Sequence, residues 1–144
     1  MKKIIYLVLT FAAVLTIACS NPKKDTREYP LQGAWEITYS KFVTPDTTVE
    51  KTQFDKPTVK LLTKKHFAFG NQSGTNKVWG GGGEYTYDGD IYTEYIKYHG
   101  ASNYDGQSFK FKSTLKGDLW TISITVKNDT LNVESTETWK RILE

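Results

Sequence analysis

Four consecutive glycines, Gly80 to Gly83, stand in the stretch WGGGGEYTYDGD. A glycine run can cradle a phosphate where a strand leads into it and a helix leaves it, so that the helix N-terminus faces the anion. Here the run leads into Glu84-Tyr85-Thr86-Tyr87, an alternating aromatic stretch that reads as strand, and no Lys-Ser or Lys-Thr pair follows. The glycines are therefore expected to serve the backbone, through positive φ, a bulge, a sharp bend at a barrel corner or a lip at a barrel mouth. Other reactive types are sparse. His66 and His99 are the only histidines, and neither has a second His or a Cys at metal-ligand spacing. No Gly-x-Ser-x-Gly elbow is present. Asp88-Gly89-Asp90 lacks the further ligands of a calcium loop. Glu94 and Glu137 fall on the apolar faces of alternating strands, as a paired-carboxylate hydrolase needs, but the sequence does not set their separation. The expectation is a protein that is not an enzyme and uses no metal or cofactor.

Cys19 is the single cysteine, so no intrachain disulfide can form. It closes the segment MKKIIYLVLTFAAVLTIAC, in which Lys2 and Lys3 precede an apolar run from Ile4 to Ala18. A positive start, a short apolar run and small residues before a cut site describe an export signal. The run is shorter than the about 20 residues of a spanning helix. LTIAC resembles the lipobox of bacterial lipoproteins, with Thr16 where that motif usually has Leu. The resemblance implies cleavage after residue 18 and lipidation of Cys19, which would hold the protein at a membrane. No Asp follows Cys19, and an outer-membrane address in the cell envelope is expected. Loss of residues 1–18 removes two of the 19 basic side chains and none of the 16 acidic ones, which leaves a net charge of +1. No strong attraction to nucleic acid follows. Residues 19–30 are polar with two prolines and read as a flexible tether.

Residues 31–144 form the expected domain. Runs rich in Tyr, Phe, Trp, Thr, Val and Ile alternate apolar with polar residues, and turn signals break them about every ten residues. The pattern predicts strands at Leu31–Phe42, Thr48–Phe54, Thr58–Thr63, His66–Gly70, Gly83–Tyr87, Ile91–Tyr98, Gln107–Leu115, Leu119–Lys127 and Leu131–Ile142, with a loop over Asn71–Asn76. The fold class is all-β, an antiparallel up-and-down β-barrel of about 8–10 strands. Asp88-Gly89 is a two-residue hairpin signal, which pairs Tyr85 with Tyr92. Tyr85, Tyr87, Tyr92, Glu94, Ile96 and Tyr98 then share one face, the more aromatic and so the inward one. A carboxylate carried inward must be paired, and Arg141 is a candidate partner for Glu94. On the last strand Leu131, Val133, Ser135, Glu137, Trp139 and Arg141 share the inward face.

Gly33-x-Trp35 on the first strand and Arg141 on the last resemble the lipocalin and calycin pattern, in which the two meet at the closed end of the barrel. GGGGEYTYDGDIYTEYI together with ETWKRI, Trp139 included, is similar to small lipocalin-like lipoproteins of Gram-negative bacteria. The guanidinium would stack on the indole, and Gly33 would leave it room. The resemblance implies a small apolar or amphipathic ligand inside the barrel, with Tyr85, Tyr87, Tyr92, Glu94, Tyr98, Phe109 and Phe111 around it. About 113 residues are short for this family, and a small barrel can fill itself with side chains. A filled barrel that binds another envelope component is the alternative.

Overall fold

The computed structural model describes residues 27–72, 78–128 and 132–143. The export signal and Cys19 lie outside them, as does the tether up to residue 26. Among the described residues nine antiparallel strands follow in chain order: β1 Gly33–Val43, β2 Thr48–Lys51, β3 Val59–Leu62, β4 His66–Gln72, β5 Val78–Tyr87, β6 Ile91–His99, β7 Ser108–Lys116, β8 Leu119–Lys127 and β9 Asn132–Ile142. A short 3-10 turn, Ser102–Tyr104, joins β6 to β7. Each strand from β3 to β9 pairs with the next, β1 pairs with β3, and β9 returns to β1. Eight strands thus close a barrel. The short β2 is extra, pairing only with the far half of β1.

The alternating sequence places one side of each strand inside. Trp35, Trp120, Trp139, Tyr92 and Phe67 are the large side chains that lose nearly all solvent contact. Trp35 and Trp120 pack with ring centroids 5.4 Å apart, and Tyr92 meets Trp120 edge-on at 4.9 Å. Aromatic residues of this size supply most of the burial energy of a small core.

Three local expectations change. The Asp88 amide donates to the Ile91 carbonyl at 3.2 Å, so the turn centres on Gly89-Asp90. Asp88 Oδ1 caps it by accepting from the amides of Asp90 and Ile91 at 3.0 and 2.8 Å. Tyr85 therefore pairs with Glu94 and Tyr87 with Tyr92. The shift is two residues, which preserves the faces. Second, all four glycines of the run lie within β5, with no positive φ among them. Of the roles expected of the run, the bulge is the one found. The ladder is broken between Gly82 and Gly83, where Lys97 is the extra residue. A Cβ on Gly83 would stand 2.0 Å from the Tyr95 carbonyl oxygen, so only glycine lets β6 bulge here. Third, the bulge reverses the alternation beyond it. Tyr98 points outward, 60% exposed, and its ring lies across Gly82. The second strand also stops at Lys51, while Asn71 and Gln72 continue β4.

Candidate functional site

One end of the barrel is sealed. Gly33 and Arg141 lie at this end of β1 and β9, and Arg141 is the register partner of Trp35. The guanidinium carbon is 4.0 Å from the Trp35 ring centroid. Its nitrogens donate to the carbonyls of Gln32 and Pro30 at 2.7 and 2.6 Å and to Asp118 Oδ1 at 3.1 Å. Trp35 Nε1 donates to the Leu31 carbonyl at 2.8 Å. The chain ahead of β1 is thereby pulled across the barrel end, with Leu31 fully buried. Gly33 sits at φ 137°, and a Cβ there would come within 2.9 Å of an Arg141 terminal nitrogen.

The middle of the barrel holds charge. Lys60 on β3 is the register partner of Trp35, and its side chain enters the core, where Nζ lies 2.7 Å from Glu94 Oε1.

 Because Trp35 faces the core, its cross-strand neighbour does too. Both charged side chains of the Lys60–Glu94 pair are more than nine-tenths buried. Tyr92 Oη donates to the same Glu94 oxygen at 2.9 Å. Burial first, then the charge of Glu94, hold the Tyr92 phenol well above its ordinary range, so it stays a donor. The Lys60 ammonium also lies 4.8 Å from the Trp139 ring centroid. Glu94 thus finds its cation in Lys60 and not in Arg141, which is committed to the sealed end.

Above this pair the barrel is open. A cavity of about 140 Å³ is lined by Ile37, Thr58, Lys60, Phe69, Trp79, Glu137 and Trp139. It shares Ile37, Thr58, Trp79 and Glu137 with a wider cleft of about 810 Å³ that reaches Phe42, Phe54 and Lys56. Glu137 Oε2 accepts from Trp139 Nε1 at 3.0 Å. Burial pushes the Glu137 carboxyl up. The Lys60 ammonium opposes that shift, Glu94 adds to it, and the Trp139 donor opposes it. Trp79 packs edge-on against Phe69 and His99, with centroids 5.3 and 5.0 Å away. The barrel is therefore filled in its sealed half and hollow in the other. Among the described residues, no three His, Cys, Asp or Glu side chains are grouped to hold a metal.

The residues expected around a ligand are dispersed. Tyr92 and Glu94 lie under the cavity, on the ion pair. Tyr85 is buried toward the sealed end, its hydroxyl donating to the Thr63 carbonyl at 2.7 Å. Tyr87 reaches the Gly89 carbonyl in the β5–β6 turn at 2.8 Å. Phe109 and Phe111 pack against the core from β7, and Tyr98 is outside. The cavity is instead lined by Lys60, Phe69, Trp79 and Glu137, with Trp139. The alternation of β9 already pointed Glu137 inward. Lys60 carried no such signal, since a lysine in TVKLL reads as solvent-facing until β3 is registered against Trp35.

A family model described as Domain of unknown function (DUF4488) matches residues 30–144. No curated protein matches. Among solved structures, one described as a lipocalin-like protein from Bacteroides uniformis ATCC 8492 aligns with a TM-score of 0.53 at 12% identity, covering 78% of this chain and 98% of that one. An uncharacterized protein from Bacteroides eggerthii DSM 20697 aligns with a TM-score of 0.50 at 12% identity, covering 77% and 98%. At this identity the likeness shows the fold, which is a lipocalin-like barrel.

Proposed function

The chain belongs to the DUF4488 family, and we propose that it binds a small amphipathic ligand in the hollow half of its lipocalin-like barrel. The observation that carries this reading is the cavity itself. Its walls are Ile37 and the rings of Phe69, Trp79 and Trp139, and its polar groups are few, Thr58, Lys60 and Glu137. Apolar walls with a small number of placed polar groups characterise small-molecule sites. In this reading the protein performs no reaction, and lipidated Cys19 holds it in the outer membrane of the cell envelope.

Native mass spectrometry of the protein extracted from its own membranes in mild detergent tests the reading. A retained small molecule, lost on Trp79→Ala, supports it. A bare mass that stays bare after exposure to an envelope lipid extract overturns it.

A second reading, an interaction lipoprotein, draws on the outer wall. Leu61, Ala68, Gly82 and Tyr98 are successive register partners across β3 to β6, and Leu61 and Tyr98 are 54% and 60% exposed. An apolar row of this kind suits contact with another envelope component. Crosslinking from position 61 in membranes would identify it.

A further inference from the structure

Resting on the ligand-binding reading, we propose that the cavity selects an organic cation, a primary or methylated ammonium head joined to an apolar body. Three features of the cavity point the same way. The first is its charge. The lining carries Lys60 and Glu137, and Glu94 lies beneath it on Lys60, two carboxylates against one ammonium. The second is how that ammonium is used. Lys60 Nζ is 2.7 Å from Glu94 Oε1 and faces the Trp139 ring at 4.8 Å, so an anionic head would have to displace Glu94 to reach it. Glu137, by contrast, appears in none of the ion pairs among the described residues. Its one hydrogen bond comes from the neutral Trp139 indole, while it borders both the cavity and the cleft.

The third feature is the wall. Trp79 presents aromatic surface to the cavity that Glu137 also lines, while the rings of Phe69 and Trp139 beside it already face the Lys60 ammonium. Ring faces attract an ammonium through their quadrupoles and suit methylated heads, which shed water readily. A volume of about 140 Å³ holds a handful of water-sized groups at roughly 30 Å³ each. That fits an ammonium head and leaves the apolar body to the cleft, against Phe42 and Phe54. A cation placed there would offset the burial that raises the Glu137 carboxyl.

The test titrates full-length protein in dodecyl maltoside micelles, whose head carries no charge, with hexyltrimethylammonium, hexan-1-ol and hexanoate, read by tryptophan fluorescence and calorimetry against empty micelles. The expected result is that the ammonium binds at least about tenfold more tightly than the alcohol, with hexanoate weakest, and that Glu137→Gln removes the ammonium's advantage over the alcohol. Trp79→Leu, which keeps an apolar wall, should weaken the ammonium more than the alcohol. Equal binding of all three, or tighter hexanoate, overturns the cation selectivity and leaves the ligand-binding reading standing. Binding of none of the three overturns both. An ammonium preference that survives in Glu137→Gln, with the variant's melting curve intact, overturns the role of Glu137.

Discussion

Lys60 Nζ and Glu94 Oε1 meet at 2.7 Å inside the barrel, with both side chains more than nine-tenths buried. Tyr92 completes the arrangement from the strand that carries Glu94. Two charges in a core are costly unless each satisfies the other. This pair marks where the filled half of the barrel ends and the hollow half begins, because Lys60 also lines the cavity.

Removing one partner should therefore cost far more than removing both. Lys60→Met leaves Glu94 buried without its cation and should lower stability by roughly 3–5 kcal/mol. The double variant Lys60→Met with Glu94→Met should recover at least half of that loss. Urea unfolding of the three proteins measures it, and a single-variant loss below about 1 kcal/mol, the range of an exposed pair, would contradict the burial.

Arg141 should be irreplaceable by lysine. Its planar group stacks on Trp35 and donates to Pro30, Gln32 and Asp118 at once, and a lysine offers neither the plane nor the fork. Arg141→Ala should cost about 2–4 kcal/mol, from the lost cation–π contact and the carbonyls left without a charged donor. Arg141→Lys should recover only part. Thermal melts followed by tryptophan emission report both, and an unchanged melting curve for Arg141→Ala would show that the end seal is not held by this residue.

Glu137 sets a pH dependence of stability. Its carboxyl is raised by burial from an ordinary 4.5. The folded protein therefore holds the proton more tightly than the unfolded chain, so the associated stability is full below the ordinary value and is lost as pH rises through the raised one. Lys60 on β3, Glu94 and Tyr92 on β6, and Trp139 on β9 are the polar groups that face it, and all four remain in the variant. Glu137→Gln should match the wild type at pH 4 and become the more stable of the two at pH 8. Parallel melting curves across that range check the sign.

Gly83→Ala should strain the bulge. The added methyl meets the Tyr95 carbonyl oxygen at 2.0 Å, and backbone cannot swing aside as a side chain can. A loss of roughly 1–3 kcal/mol is expected, seen as a lowered urea midpoint. Gly89→Ala offers a contrast: nothing lies within 4 Å of its added carbon, so its cost would come from its positive φ alone.

Cys19→Ser should move the protein from the membrane fraction to the soluble fraction if lipid at this residue is the anchor. Fractionation with immunodetection is sufficient, and retention in the membrane would refute the lipoprotein assignment.

The fold class was legible because strand alternation is local. The β8 span Leu119–Lys127 can be read from its own residues, and Glu94, Glu137 and Trp139 fall on the inward face by parity alone. Parity survived even where the β5–β6 turn was misplaced, since that error was two residues. What a strand cannot reveal is what stands across from it. The inward course of Lys60 depends on β3 lying against Trp35, a contact between residues 25 apart in the chain. The outward turn of Tyr98 depends on a bulge that Gly83 permits but does not require. The partner of Glu94 and the hollow beside Glu137 both arise when the sheet closes and distant strands fix one another's register. Local periodicity set which side of each strand faces inward; closure of the barrel decided which charges meet there and where space remains.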